Sequence, residues 1–466
     1  MRYSIGKKEK FKKESINEKK LKSSWIPMII VQIYLTIILI LFNFGPWPWP
    51  VDNLIQLNFY LILSQMMLFV GYLLSIKSKL FILNISRTNK SKLILNISNN
   101  NIRFIKFLFV ITVLLYIPTF ILRIGIDSFN ISVIFLEIKN GIINPGEQYL
   151  DKINSQGSTE VSMINTIISA IYAPFYWLLV PLSLVNWKRL TYFLKLGLIF
   201  LILLEILSWV SIGTNKGIFD TVFILTFSLI IKVYLDNYDG DFNKKYSNSN
   251  SKKKFNIFIF FGLFLLLAIT YMYNAISSRT GSISNYNAAA NITVDFNSPI
   301  MSIVPSFLED IVIMLSSYLT QGYYGLSLAM NEGFTSTYGF GNSWFLLNVY
   351  EQITGDETLV YKTYPFKIVE SGWDPFINWH SIYTWLASDY SFIGVLILMT
   401  IIGYLFGEVW KSLLIQRNIF SFALFILFMI MFMYFPANNQ IFAFIQTFSA
   451  FWVLFILWIL STRIRV

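Results

Sequence analysis

Apolar residues gather along this chain into runs of about 20, the length a helix needs to cross a lipid core. The runs fall at 26–44, 54–76, 104–122, 161–185, 190–212, 217–235, 255–274, 392–410, 418–436 and 440–460. Each is expected to span as a helix, because only a helix satisfies its own backbone within lipid. The first run is long for a signal peptide and lacks a small-residue cleavage site, so it is expected to stay as an anchor. The pattern predicts an all-α polytopic integral membrane protein with about ten spans. Between the seventh and eighth runs the pattern changes. "PSFLEDIVIMLSSYLTQGYYGLSLAM" (305–330) keeps helical periodicity but carries a polar stripe: Glu309, Ser316, Thr320 and Ser327, with Asp310, Ser317, Gln321 and Tyr324 beside them. Ile311, Leu315, Leu319, Gly322 and Leu326 occupy the other side. Lipid penalises such a stripe, so it should face protein or an aqueous cavity. The helix is long enough to span; a re-entrant or interfacial placement fits the charge map better.

That map comes from Lys and Arg, which accumulate in cytoplasmic loops. Of the 36, 29 lie in the head 1–24, the loops 77–106, 186–195, 232–254 and 411–417, and the tail. These alternate correctly for a chain with both termini inside. Only Arg123, Lys139, Lys152, Lys216, Arg279, Lys362 and Lys367 remain for the other side. The net charge of +11 is therefore a topology signal with some affinity for membrane lipids, and nucleic-acid binding is a poor reading. The expected organisation is a basic cytoplasmic head (1–24), seven spans with an outer loop at 123–160 (25–274), a large outer segment (275–391) and three C-terminal spans (392–466).

Composition narrows the chemistry. The chain is 55% hydrophobic and 13% charged, and it has no cysteine, which excludes disulfides and thiolate sites. Its one histidine, His380, sits in "NWHSIYTWLASDYSFIG" (378–394) beside Trp379, Trp385 and Asp389. Trp344, Trp373, Trp379 and Trp385 in the outer segment form either a wall for stacking sugars or an interfacial aromatic belt. Glu205 stands within a span, where an acid is usually paired or functional. Lys216, at the next outer turn, is its expected partner. Asp389 is expected to anchor the span that follows it.

From Tyr318 onward, "YLTQGYYGLSLAM", "YGFGNSWFLL" and "NWHSIYTWLASDYSFIGVLILMTIIGYLFGEVW" resemble the Wzy-type oligosaccharide repeat-unit polymerases of O-antigen, capsule and exopolysaccharide assembly. The resemblance covers about residues 300–410 in motif detail, and the rest in hydropathy and loop layout. It implies a multi-pass glycosyltransferase of the cytoplasmic membrane, with its active site on the outer face. The substrate implied is an oligosaccharide on undecaprenyl diphosphate, and the pathway partners are a flippase and a chain-length regulator. Arginines in two outer loops are important in this family; Arg279 and Arg123 occupy such loops here. The family's spacing from arginine to a following glycine is not met at Arg279, where that position is Ala290.

Transfer from a lipid diphosphate needs cations on the leaving group and a base for the attacking hydroxyl, but no obligatory metal or cofactor. Arg279 and Arg123 suit the first task, with interfacial snorkelling as the alternative. His380, Glu309 and Asp310 are candidates for the second; Glu370, Asp374 and Asp389 are others. A hydrogen-bonding structural role is the alternative for His380. Gln321, Tyr324, Trp373, Trp379 and Trp385 complete the expected substrate-binding set with Arg123. A polysaccharide ligase and a lipid-linked-oligosaccharide flippase are the alternative functions. Concentration of unusual polar residues outside the bundle favours chemistry over transport.

Overall fold

A computed structural model describes residues 24–77, 99–124, 130–155, 159–240, 251–280 and 285–463. Each of the ten expected spans contains a helix, although the last helix begins only at Ile445, because 440–444 is irregular. In chain order come α1 (Ile26–Phe44), α2 (Leu54–Lys77), α3 (Asn99–Ile124), the short α4 (Ile131–Ile143) and α5 (Pro145–Ser155), then α6 (Thr159–Val185), α7 (Tyr192–Val210), α8 (Lys216–Gly240) and α9 (Ser251–Thr280). The large segment contributes α10 (Glu309–Ala329), α11 (Trp344–Thr354), α12 (Thr358–Tyr361) and α13 (Tyr364–Lys367). The chain closes with α14 (Ile382–Lys411), α15 (Ile419–Tyr434) and α16 (Ile445–Arg463). Eight helices are long and apolar enough to cross a membrane; α9 and α15 carry shorter apolar stretches, Gly262–Ser278 and Ile419–Tyr434. The only strands among the described residues are a two-residue pair, Tyr286–Asn287 with Ile292–Thr293. The protein is an all-α, multi-pass membrane protein.

Connections sort to two faces. Segments 45–53, 131–155, 211–215, 285–381 and 435–444 lie on one, the loop face; 186–191 and 412–418 lie on the other, the basic face. The placement of α10 is settled by "GPWPWPVDN" (45–53), whose three prolines keep it out of helix and ladder. Trp47 Nε1 donates to the Ile313 carbonyl, Trp49 Nε1 to Thr320 Oγ1 and Asn53 Nδ2 to the Ser327 carbonyl, each at 3.0 Å. Both halves of α10 are thus fastened to one short connection, so the helix begins and ends on the loop face without crossing. Its stripe of Ser316, Thr320 and Ser327 is buried against protein, as lipid avoidance requires.

Helices α2 and α14 run parallel in the tightest contact of the bundle. A Cβ on Gly403 would stand 2.0 Å from the Leu68 carbonyl oxygen, and one on Gly71 would stand 1.9 Å from that of Thr400. Gly403 and Gly407, four apart, leave the flat strip that lets backbones meet in lipid. Ser391, at φ 60° and ψ 166°, bends α14 just before the residue where the hydropathy of the expected span begins.

Helix α15 is enclosed by the others, with 15 of its 16 residues buried. It stops early: Met433 accepts from Tyr34, near the middle of α1, at 2.5 Å. The chain then continues as "FPANNQIFAF" (435–444), in which Phe435, Ala437, Asn438, Asn439, Gln440 and Ile441 are all buried. Irregular backbone within a membrane bundle survives only where protein or a polar cavity satisfies it. That requirement leads to the site.

Candidate functional site: a chamber of buried ion pairs

Two cation–carboxylate pairs meet around one indole. Trp209, in the last turn of α7, donates from Nε1 to Glu205 Oε1 at 2.8 Å. Arg123, in the last turn of α3, donates to the same oxygen at 3.1 Å and to Ser208 Oγ at 2.7 Å. Its guanidinium lies 4.4 Å from the Trp209 ring centre, within cation–π range. Lys216 begins α8, 5.2 Å from the same ring and 4.8 Å from Phe444. It pairs with Asp220, one helical turn on, at 2.6 Å. Gly217 makes room for the indole: a Cβ there would fall 1.8 Å from Trp209 Cδ1.

All four charged side chains are at least nine-tenths buried. Stripping water from an isolated charge costs several kcal/mol, so each ion depends on its partner. The pairing is nevertheless incomplete. Among the described residues, Arg123 Nη2 is buried without a hydrogen-bond partner, and Asp220 Oδ1 receives only a long 3.4 Å bond from Gln440. Glu205 is better served, since Tyr172 adds a third donor at 3.4 Å. Tyr172, Tyr176, Trp177, Glu205, Trp209 and Asp220 leave a cavity of about 10 Å³, room for about one water.

Two coverings close this chamber on the loop face. Helices α4 and α5 sit on the α7–α8 turn: Gly141 abuts the Val210 carbonyl and Gly213, at φ +63°, abuts that of Pro145. Tyr271 of α9 donates to the carbonyl of Gly141 at 3.2 Å, tying the same group together. The second covering is 435–444. Gln440 reaches Asp220, Asn439 donates to the Asn342 carbonyl, and Ser343 donates to the Phe442 carbonyl. Asn342 is in turn held by Asp389. That carboxylate accepts from Thr337 Oγ1, from the backbone of Gly339, Gly341 and Asn342, and from Asn342 Nδ2, at 2.5–3.1 Å. Asp389 therefore anchors the 337–342 loop rather than the span after it.

The aromatic residues of the large segment form a separate, closed cluster. Trp49 stacks on Tyr324 at 5.4 Å, and Trp373 meets both edge-on, at 6.0 Å from Trp49 and 4.9 Å from Tyr324. Gln321 accepts from the Trp379 backbone at 3.2 Å, and Tyr318 packs on the Trp379 ring at 5.3 Å. Trp385 joins Leu347 and Leu359 in a satellite core. Gln321, Tyr324, Trp373 and Trp379 are thus brought together. The wall expected of Trp344, Trp373, Trp379 and Trp385 is not an open one, because Trp373 is fully buried and Trp385 nearly so.

His380 adjoins this cluster, 6.3 Å from Trp385 and against Gly325. It is buried with no hydrogen bond to either nitrogen from the described residues, and burial pulls its pKa down to about 3. Such an imidazole stays neutral and is a poor proton acceptor for a buried reaction. The unfolded chain, with its histidine near 6.5, takes up that proton first as pH falls. His380 therefore supports the fold fully above about pH 6.5, and that support is lost as pH falls toward about 3. His380→Leu is expected to flatten thermal stability against pH across this window; an unchanged profile would contradict the buried placement.

The remaining expected residues scatter. Asp310 is exposed and Glu309 half-buried at the start of α10, where acids suit the helix dipole. The Arg279 side chain lies outside the described residues. Arg123, expected in an outer loop, instead ends a span and is buried. Its partner Glu205 was expected to pair with Lys216; Arg123 takes that place because Asp220 holds the lysine. Unusual polar residues are not confined to the large segment either. A further pair joins the buried Glu408 to the half-buried Lys411 at the basic-face end of α14 beside Ser75. Asp220 and Gln440 were missed, although Lys216–Asp220 has readable i, i+4 spacing and "NNQ" interrupts two apolar runs. Among the described residues, no three His, Asp or Glu side chains gather to hold a metal. No family model, curated protein or solved structure matches the chain.

Proposed function

We propose that this protein is a membrane glycosyltransferase that polymerises oligosaccharide repeats carried on undecaprenyl diphosphate, with the loop face outside the cell membrane. The observation that carries the reading is the pair of cations, Arg123 and Lys216, held against one indole beneath the loop face with two carboxylates. In the reaction, the acceptor hydroxyl oxygen bonds to the donor's anomeric carbon as that carbon's bond to the diphosphate oxygen breaks. The electron pair leaves on the lipid diphosphate, where Arg123 and Lys216 neutralise it. Arg123 Nη2 already has an unused donor for it. The hydroxyl proton passes to Asp220, whose Oδ1 receives one long bond, whereas Glu205 carries three donors in all. Substrate binding must open the chamber, and the two coverings are the elements that would move.

Lys216→Met and Asp220→Asn are each expected to shorten polymer at least tenfold while the protein stays in the membrane. Wild-type chain length in both variants, at normal protein level, would sink this assignment. A second reading, a lipid-linked-oligosaccharide flippase, draws support from two ion pairs buried in the bundle and a third, partly buried, toward its basic face, which suit charge movement across a membrane. In reconstituted vesicles the two separate: a polymerase extends lipid-linked repeats supplied on its own side, and a flippase leaves them unextended but moved.

A further inference from the structure

Helix α4 falls in a stretch that hydropathy assigns to a loop, yet its accessible side is apolar. Ile131, Phe135, Leu136, Ile142 and Ile143 are between 51% and 73% exposed, and on a helix they share one broad arc. Lys139 stands within that arc and is also exposed. The opposite side meets protein: Gly141 touches the Val210 carbonyl at the loop-face end of α7. Below it, α7 turns Leu196, Ile199, Phe200 and Leu203 outward, as lipid-facing residues of a span are turned. The apolar arc of α4 continues that belt to the membrane boundary. A lysine among apolar residues at this level has the arrangement of a helix lying in the interface, with its ammonium raised to the phosphate layer.

We infer that α4 is seated in the loop-face leaflet of the bilayer, its apolar arc against acyl chains, and forms the lipid-side wall of the ion-pair chamber. A ligand with a polyprenyl anchor then reaches Arg123 and Lys216 from the leaflet, past α4. This last step rests on the diphosphate reading of the chamber; the seating does not.

The cysteine-free chain allows single spin labels at Phe135, Ile142 and, as an aqueous reference, the exposed Asp151 of α5. In vesicles of phosphatidylethanolamine and phosphatidylglycerol, labels at 135 and 142 should collide mainly with oxygen, and the label at 151 mainly with a water-soluble nickel complex. Nickel access at 135 and 142 equal to that at 151 would overturn the seating. That result involves no glycan, so it leaves the polymerase reading untouched. The wall is tested by Phe135→Glu with Ile142→Glu, expected to cut polymer yield at least tenfold with normal membrane insertion. Full yield from that variant would overturn lateral access, whereas full length in the Lys216 and Asp220 variants would sink the function and leave α4 in place.

Discussion

Arg123→Ala is expected to abolish long polymer and to destabilise the protein by about 3–5 kcal/mol, the usual cost of breaking a buried ion pair. The loss of stability arises because Glu205 would remain buried with only Trp209 and Tyr172 to hold its charge. A structural and a functional role would both predict this much. They part in the double variant Arg123→Met with Glu205→Leu, which leaves no orphaned charge. Apolar replacement of a whole buried pair is commonly neutral or stabilising, by as much as about 4 kcal/mol. The double variant should therefore regain a wild-type thermal midpoint and still make no long polymer. If it recovers both, Arg123 only braces α3 against α7. The midpoint is measured on purified protein, and chain length on glycan from cells carrying the same variants.

Asp389→Ala is expected to release the 337–342 loop. One carboxylate now receives five hydrogen bonds, three of them from backbone amides that have Tyr338 and Gly339 at positive φ around them. Without the anion, that backbone conformation loses its reason to persist. Bonds to a charged group contribute about 1.5–3 kcal/mol each. The net loss should be about 3 kcal/mol, well under the sum, because Gly339 is open to water and regains partners there. Asp389→Asn should fall between, since its amide nitrogen cannot accept from Asn342. Hydrogen exchange would read the effect directly, with protection lost at residues 339–342 in the order Ala, then Asn. The disturbance should reach the chamber, because Asn342 accepts from Asn439 next to Gln440. Unchanged protection in the alanine variant would remove Asp389 from this role.

How much of this was legible in the sequence depended on the range of the interaction. The spans were readable because a run of apolar residues has few alternatives in lipid, and even the bend at Ser391 falls where the hydropathy of the eighth run begins. The periodicity of 305–330 announced a helix with a polar stripe, and the helix runs from Glu309 to Ala329. It did not say whether the helix crosses, because the answer is supplied by Trp47, Trp49 and Asn53 from the far end of the chain. Glu205 was marked as costly by its place in a span. Its partner was misjudged because proximity in sequence pointed to Lys216, while the fold delivered Arg123 from α3. His380 drew attention by being unique, and uniqueness carries no information about burial. The aromatic cluster was gathered in part, yet aromatic residues that could stack on sugar also pack on one another, and here Trp49, Tyr324 and Trp373 do so.

The central claim is that the chamber extends lipid-linked repeats, and it is tested most directly by the state of the lipid-linked glycan in cells lacking this protein. Single repeat units, exposed on the outer face and never extended, are the predicted result. Single units retained on the inner face, or full-length polymer left on the lipid, would contradict it.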